Sequence, residues 1–464
     1  MSAASTSSLP AQMVRGRVVD SLAGTPVGPG FVVLLDRAGV AVARTLTTST
    51  ATFSVRAPAP GRYRLRSEII GYRAAESQEL SLEAGATLDY TFEIVALPIT
   101  LRAVEVQAET RCREDPSLAA ATGVVWEEIR KALEAAAWDG TQRLVRYRYY
   151  RFERTLSADR RRVTREAGRV VNGFAERPFG SLPAEQLARD GYVVIGTDET
   201  HYALPDAEIL LHPTFLGTHC FRVVRNAKQR PGEIGLAFRP VEGREVAEVR
   251  GTMWLNESTS ELATLEIAYT SLPERIEDDR GGGTVDFLHL PSGAWIVERW
   301  ELRTPVIRVV QREPEPYAHA ARSDARVVGW RDFGGEVLEI TIEGGATVYP
   351  PNVAHVDGTV YDSTRCGPLA GAVVGFDNTS FSTATDGSGR FHLVAPLEGE
   401  HALTVTHPGL DSVRSRVPRQ VVPLRRGATW SVAIAIPPAL SQVGQPCPAR
   451  PDSAGTGAAA PARS

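Results

Sequence analysis

An internal repeat is the feature that most limits what this chain of 464 residues can fold into. Val14–Ser21 near the start corresponds to Val356–Ser363 near the end, at an offset of 342 residues. The offset falls to 338 at Phe53 and Phe391 and later returns to 342. Two copies of one fold that differ in loop length produce such a pattern. The sequence therefore predicts two related modules on either side of a different central region.

The alternation of apolar and polar residues predicts that both copies are β-sandwiches. One strand face carries Leu88, Tyr90, Phe92 and Ile94 in the first copy, and its counterpart in the second carries Trp430, Val432, Ile434 and Ile436. Short strands alternate with Gly and Pro turns over about 85 residues, which is typical of a sandwich. In the second copy we expect Gly387 and Gly389 to supply a turn that needs positive φ.

Both copies resemble the carboxypeptidase regulatory-like domain, a prealbumin-like sandwich of seven strands with Greek-key connections. The residues that carry the resemblance in the second copy are Gly358, Val360, Asp362, Pro368–Val374, Thr385, Asp386, Gly389, Phe391 and Gly399. Those of the first copy are Gly16, Val18, Asp20, Pro26, Phe53, Gly61–Leu65, Gly71 and Tyr72. The second copy departs from the pattern at His401, and the first lacks the Thr-Asp-x-x-Gly turn. The resemblance implies a fold and an accessory role as spacer, adhesion module or polysaccharide binder. It does not imply peptidase activity.

The central region, residues 112–345, has the pattern of an α+β module with an antiparallel sheet. Helical spacing of apolar residues predicts a first helix, on Val125, Ile129, Leu133 and Ala136. A second helix is expected after Pro183, with Ser181 as its cap. Strand patterns follow at Val145–Tyr149, Ala263–Thr270, Val285–Leu290 and Ala294–Leu302. The last two flank a turn that predicts a hairpin, and Gly281–Gly283 is interpreted as a hairpin loop.

The predicted fold class is mainly β: two sandwiches and a central α+β module. The predicted segments are a disordered tail or signal remnant at 1–12, sandwiches at 13–100 and 353–438, the central module at 112–345, and a disordered Pro- and Ala-rich tail at 439–464.

The four cysteines are the most informative reactive residues. They are Cys112, Cys220, Cys366 and Cys447, and none stands in a C-x-x-C motif. An even number in an exported chain suggests disulfides, for which three pairings exist. We favour Cys112 with Cys220, since both lie in the central region, and Cys366 with Cys447. Free buried thiols are the alternative.

Motifs for catalysis are not found. No histidine stands in H-x-x-E or H-E-x-x-H spacing, and no nucleophile elbow, Walker loop or dinucleotide fingerprint occurs. We therefore predict no catalytic residue, no metal ligand and no cofactor. Trp254, Trp295 and Trp300 could line a ligand groove if the central sheet is concave, although core packing is the simpler interpretation of their spacing. The acidic cluster Glu277–Asp279 is interpreted as a solvated loop.

Charge and hydropathy restrict the partners and the compartment. The net charge is −4, which argues against nucleic acid as a partner. The apolar runs are far shorter than the roughly 18 residues that cross a bilayer, so no transmembrane segment is expected. Ser8–Gln12 resembles the polar end of a signal peptide whose apolar part is missing. We therefore expect a periplasmic or extracellular protein, with the cytoplasm as the alternative.

These observations favour a non-catalytic bacterial cell-envelope or secreted protein with a binding or structural role. Its ligand would be a polysaccharide, a protein or a lipid, and we expect a monomer. The alternative is a periplasmic carrier of an apolar ligand, because Gly251–Tyr269 resembles the strand pairs of lipoprotein-carrier half-barrels. An enzyme without a recognised motif is the third hypothesis.

Overall fold

A computed structural model describes most of the chain, and it is mainly β, as the sequence predicts. The described residues are 12–97, 116–142, 145–160, 163–174, 181–195, 200–270, 281–290, 293, 295–311, 323–342, 347–349, 353–411 and 419–437. The chain divides into two compact units. The first comprises Met1–Thr164 and Val170–Tyr349, and the second comprises Arg165–Arg169 and Pro350–Ser464.

The first copy of the repeat is a sandwich of seven strands, as expected. The strands are β1 (Met13–Asp20), β2 (Phe31–Leu35), β3 (Ala41–Leu46), β4 (Thr52–Arg56), β5 (Gly61–Glu68), β6 (Leu80–Leu82) and β7 (Thr87–Ile94). One sheet has the order β4-β1-β7 and the other the order β3-β2-β5-β6. Strand β1 pairs antiparallel with β4 and parallel with β7, so the last strand lies beside the first.

Strand β2 is buried on both faces. Val32 and Leu34 belong to the core between the two sheets of the sandwich. Phe31, Val33 and Leu35 belong to the core of the central region. A continuous apolar run is the pattern of a strand that has no solvent face. The first sandwich and the central region therefore meet at β2 within the first unit.

The central region is built on one large antiparallel sheet. Its elements are α1 (Pro116–Gln142), β8 (Val145–Leu156), β9 (Val163–Phe174), α2 (Ala184–Asp190), β10 (Val193–Ile195), β11 (Thr200–Tyr202), α3 (Ala207–Leu211), α4 (Pro213–Thr218), β12 (His219–Val224), β13 (Glu233–Pro240), β14 (Glu248–Asn256), β15 (Leu262–Thr270), β16 (Gly282–His289), β17 (Trp295–Gln311), β18 (Ser323–Ile342) and β19 (Thr347–Tyr349). The sheet has the order β12-β13-β14-β15-β16-β17-β18-β8-β9, with β19 beside β18, and β10 pairs with β11. The described helices include none with the length and apolar character needed to cross a membrane.

Helix α1 packs on the apolar face of this sheet. Its residues Val125, Ile129 and Leu133 are fully buried, which confirms the helix that their spacing predicts. They share a core with sheet residues such as Leu265 and Val285. The hairpin predicted between the strands around residues 285 and 300 is also present, as the antiparallel pair β16 and β17.

A buried ion pair joins α1 to the first sandwich. The side chains of Glu128 and Lys131 are each 1% exposed, and Lys131 Nζ lies 2.8 Å from Glu128 Oε1. Lys131 Nζ also donates to the carbonyl oxygens of Ile69 and Tyr72, at 3.0 and 2.7 Å. Glu128 Oε2 accepts from the backbone N–H of Gly71 at 2.7 Å. Because buried charges are tolerated only when they are paired and hydrogen-bonded, these bonds fix α1 against the segment after β5.

Two local predictions for the central region are wrong. Ser181 does not cap α2, because the residue before the helix is Pro183, and Ser181 Oγ is buried without a hydrogen-bond partner. Ser181 stands two residues too early to reach the first turn. Gly282 and Gly283 do not form a loop but begin β16. A side chain at Gly283 would place its Cβ 2.7 Å from the carbonyl oxygen of Glu301, so glycine permits the close approach of two strands.

The second unit contains a sandwich with the strand order of the first. Its elements are β20 (Ala354–Asp362), β21 (Gly367–Pro368), β22 (Val373–Phe376), β23 (Ser382–Ala384), β24 (Arg390–Ala395), β25 (Gly399–Thr406), α5 (Pro408–Asp411), β26 (Gln420–Leu424) and β27 (Thr429–Ile436). Strand β20 lies between β24 and β27 and also pairs with the two-residue β21, and the other sheet has the order β23-β22-β25-β26. Of the two glycines predicted to need positive φ, only Gly389 adopts it, at +70°.

We predict that Lys131→Met destabilises the protein by about 3–5 kcal/mol, because it leaves the Glu128 carboxylate buried without its partner. Urea denaturation of the full chain, followed by tryptophan fluorescence, measures the effect. The matched control is Lys228→Met, since Lys228 is the second of the two lysines and is exposed. The control should change the free energy of unfolding by less than about 0.5 kcal/mol. Equal stability of the two variants would contradict the role assigned to the pair.

Candidate functional site

The outer face of the three main strands of one sheet of the second sandwich carries a cluster of polar side chains. In the pairing of β20 with β24, Asp357 lies opposite His392 and His355 lies opposite Val394. In the pairing of β20 with β27, Asp357 lies opposite Ser431. Side chains of paired residues project from the same face. The fold therefore gathers His355, Asp357, His392 and Ser431 from three strands.

The two histidines and the aspartate form a connected chain. His392 Nδ1 donates to Asp357 Oδ1 at 2.6 Å. On the other side of the same ring, His392 Nε2 lies 3.4 Å from His355 Nδ1. The two imidazole rings are stacked, with centroids 5.3 Å apart and an angle of 30° between their planes. About half of the Asp357 and His392 side-chain surface is exposed, so solutes can reach the cluster.

The cluster borders an open depression of about 660 Å³. The residues that line it are Asp357, Gly358, Thr359, Thr383, Ala384, Asp386, Arg390, Phe391, His392, Ser431 and Val432. Asp386 stabilises the turn between β23 and β24, where its Oδ1 accepts from the backbone N–H groups of Ser388 and Arg390. The hydroxyl of Ser388 donates to the same oxygen, and this bond, together with the two backbone bonds, holds the pKa of the Asp386 carboxyl below its usual value. The depression offers hydroxyl, imidazole, guanidinium and carboxylate groups to a ligand.

The first copy has different side chains at the matching register positions. Arg15 stands at the place of Asp357, since it lies opposite Ser54 on β4 and Asp89 on β7. Arg15 Nε donates to Asp89 Oδ1 at 2.6 Å, in an ion pair whose side chains are 61% and 72% exposed. The first copy thus carries a solvated ion pair where the second carries the histidine cluster. The fold does not require either set, because both lie outside the core.

The order of the strands decides what this cluster can do chemically. Asp357 stands on the central strand between His392 and Ser431. Acyl transfer by a serine nucleophile instead needs the histidine between the serine and the aspartate. The arrangement therefore does not match a catalytic triad. Among the described residues, no group of three or more histidine, cysteine, aspartate or glutamate side chains is arranged to hold a metal ion.

A second group of titratable side chains is enclosed in the first unit. His219 Nε2 lies 3.7 Å from Glu248 Oε2, which is buried and makes no hydrogen bond. Glu248 Oε1 accepts from Arg244 Nε. The neighbouring cavity, which Tyr192 and Glu248 help to line, holds about 10 Å³, room for one water molecule. A space of this size does not admit an organic substrate.

Burial sets the protonation states in this enclosed group. Burial lowers the pKa of His219 to about 4, although hydrogen bonds to two backbone carbonyl oxygens act in the opposite direction. It also raises the pKa of the Glu248 carboxyl, against the hydrogen bond and the charge of Arg244. The pKa of Tyr192 is raised, again mainly by burial. His219 is therefore neutral at pH 7, so Arg244, and not His219, is the cation beside Glu248.

The three tryptophans singled out in the sequence are all buried, and the structure does not bring them to one face. Trp295 and Trp300 belong to the apolar core of the first unit. Trp254 lies on the opposite face of the sheet from Trp300, because the register places Met253, and not Trp254, in line with Trp300. Trp254 Nε1 donates to Glu266 Oε2 at 3.0 Å. A common groove lined by these residues stays a prediction.

No described cysteine is a free thiol. Cys220, on β12, and Cys366, in the second unit, are each disulfide-bonded. Cys112 and Cys447 lie outside the described residues, as does the acidic cluster Glu277–Asp279. The predicted pairings therefore stay predictions.

Comparison with known proteins identifies one part of the chain. Residues 13–95 match the carboxypeptidase regulatory-like domain. The match falls on strands β1 to β7, the whole first sandwich. No curated protein matches the chain.

Similar solved structures are distant. The Bacillus anthracis TIE protein is 8% identical, with 92% of this chain and 51% of that chain covered and a TM-score of 0.16. The major pilin subunit BcpA of Bacillus cereus is 9% identical, with 92% and 99% covered and a TM-score of 0.17. A candidate carbohydrate-binding protein from Bacteroides uniformis is 12% identical, with 56% and 98% covered and a TM-score of 0.17. The chain thus spans about half the length of the TIE protein. At these scores the likenesses say nothing about function.

Sequence reasoning missed the histidine cluster. His355 and His392 are 37 residues apart and match no short metal or catalytic motif. The signal that could have found them is the repeat itself: aligning the two copies places Met13 and Ser54 of the first opposite these two histidines. Outward-facing positions where two copies of one fold differ are free to carry function.

We predict that His219 makes the protein sensitive to acid. Between pH 6.5 and about pH 4 the unfolded chain binds a proton at His219 that the folded protein does not. The free energy of unfolding should therefore fall by about 3 kcal/mol as the pH drops through this range. His219→Gln should remove this part of the pH dependence, although it lowers stability at pH 7. Urea denaturation at several pH values tests this, and parallel pH profiles of variant and wild type would contradict it.

We predict disulfides Cys112–Cys220 and Cys366–Cys447. Peptide mapping by mass spectrometry without reduction should recover both cross-linked peptide pairs. Removing the first bond should lower stability by about 4 kcal/mol, because it closes a long loop. Alkylation of any cysteine in the denatured, unreduced protein would contradict this framework.

Proposed function

We propose that this protein is a non-catalytic binding and structural protein of the bacterial cell envelope, and that its second sandwich binds a carbohydrate. The observation that carries the proposal is the exposed polar depression on the outer face of β20, β24 and β27. The first copy holds only a solvated ion pair at the corresponding place. The two copies would then have different roles. The first copy contributes to the core of its unit, and the second presents a ligand-binding surface.

The second sandwich is, in this proposal, a second regulatory-like domain. Support comes from its strand order, which repeats that of residues 13–95. Its last strand also repeats the alternation of buried and exposed residues seen in β7. In both copies the central strand pairs parallel with the last strand over eight residues.

The chemistry of the depression supports a hydroxyl-rich ligand. Thr359, Thr383 and Ser431 offer hydroxyl groups that both donate and accept, and Arg390 offers a rigid fork of donors. Phe391 is among the lining residues, but its side chain is buried in the core. A lipid chain would need an apolar concave surface. Sugar hydroxyls match this set better than a lipid does, and better than a large apolar protein surface.

A location outside the cytoplasm is part of the proposal. Cys220 and Cys366 are disulfide-bonded, and disulfides persist mainly in oxidising compartments. The net charge of −4 does not favour nucleic acid as a partner. We propose a periplasmic or extracellular monomer that holds its ligand without transforming it.

The test is affinity gel electrophoresis of the full chain in gels that contain soluble xylan, dextran, β-glucan or alginate, with EDTA present. We predict that at least one polysaccharide retards the protein and that Arg390→Ala weakens the binding at least tenfold. The matched control is Arg15→Ala, which removes an exposed arginine from the same face of the first copy and should leave retardation unchanged. If no polysaccharide retards the wild type, or if Arg390→Ala binds like the control, the carbohydrate assignment is wrong.

A further inference from the structure

We propose that His355 and His392 form a two-histidine site for a divalent transition-metal ion, Zn²⁺ or Cu²⁺, on the outer face of the second sandwich. Both residues belong to the described sheet, one on β20 and one on β24. The proposal goes beyond carbohydrate binding and does not depend on it. It rests on the distance between two ring nitrogens, on the aspartate behind one of them and on the way the strands hold both.

The distance between the two ring nitrogens fits one edge of a coordination tetrahedron. His392 Nε2 and His355 Nδ1 are 3.4 Å apart. Zinc binds imidazole nitrogen at about 2.0–2.1 Å in tetrahedral geometry, which puts two ligating nitrogens about 3.3–3.4 Å apart. The observed spacing therefore equals that of two nitrogen ligands bound to one metal ion. Imidazole ligands suit zinc and copper better than calcium or magnesium.

Asp357 prepares His392 to act as a ligand. Its carboxylate accepts a hydrogen bond from His392 Nδ1 at 2.6 Å, so the proton of the neutral ring sits on Nδ1. The lone pair of Nε2 accepts a hydrogen bond from His355 Nδ1 at 3.4 Å, and a metal ion would replace that shared proton. A carboxylate behind a ligating histidine is the usual outer support of a zinc site, where it fixes the tautomer and raises the basicity of the ring. Here that lone pair faces His355.

The strands hold the two ligands with little freedom. β20 is bonded on both sides, to β24 and to β27. His355 and His392 occupy diagonal positions across the β20–β24 ladder, since His392 lies opposite Asp357 and His355 is two residues away on the same face. Such pre-organisation lowers the cost of ordering ligands on binding.

The cluster supplies two protein ligands, and water would complete the coordination. No third ligating side chain is arranged beside them among the described residues. Such a site keeps open positions, to which an oxygen of a bound solute could coordinate. The first copy offers no counterpart, because Met13 and Ser54 stand where the two histidines stand.

The test is the binding of Zn²⁺ to the full chain by isothermal titration calorimetry at pH 7.5. We expect the wild type to bind one more equivalent of Zn²⁺ than either His355→Gln or His392→Gln. The matched control is His401→Gln, which changes another histidine of the same sandwich and should keep this equivalent. Asp357→Asn should keep the site but weaken it by 10- to 100-fold.

Electron paramagnetic resonance with Cu²⁺ gives an independent readout. The spectrum of the wild type should show coupling to two imidazole nitrogens. Each single histidine variant should lose the coupling to one of them. Both side chains lie on the surface of the sheet, so thermal unfolding of the variants should match that of the wild type. If His355→Gln and His392→Gln bind Zn²⁺ as the wild type does, the proposal is wrong. Arg390→Ala should leave metal binding intact, so failure of the metal site and failure of the carbohydrate proposal give different results.

Discussion

The structure of the first unit depends on a strand that cannot have a solvent face. All five residues of β2 are buried, and its alternate side chains enter two different cores. Burying one such side chain stabilises a fold by about 1.5–3 kcal/mol, so exposing Phe31, Val33 and Leu35 would be costly. A free-standing first sandwich would leave these three in water. The central sheet and α1 therefore cover the outer face of β2, and the side chains of that face form part of the core of the central region.

The ion pair of Glu128 and Lys131 fixes how α1 is placed on the first sandwich. Apolar surfaces can slide over one another because the hydrophobic effect has no preferred geometry. The bonds of Lys131 to two carbonyl oxygens and of Glu128 to one backbone N–H admit one placement of the helix. Burying the pair costs desolvation energy. Its hydrogen bonds nevertheless select a single register of α1 against the sandwich.

The sequence predicts much of the fold because strands with one buried face alternate in polarity. The repeat, the sandwich of residues 13–95, helix α1 and the β16–β17 hairpin all follow from local patterns. Other features depend on partners far along the chain and have no local signal. Lys131 is an ordinary charged residue in an Ala-rich helix until Ile69 and Tyr72 approach it. The cap at Ser181 fails because the helix starts after Pro183, and the glycines of β16 belong to a strand because Glu301 passes close by. The histidine cluster is of the same kind: only the register of β20 with β24 brings it together.

The parallel pairing of first and last strands has a mechanical consequence. In each sandwich the strand that begins the module lies beside the strand that ends it, side by side over eight residue pairs. Because the two strands run in the same direction, a pull on the two ends of the module draws them past each other lengthwise. The hydrogen bonds between them then share the load and must break together, whereas strands peeled from one end would release their bonds singly. A pull on the two ends of either module would therefore load these hydrogen bonds in shear.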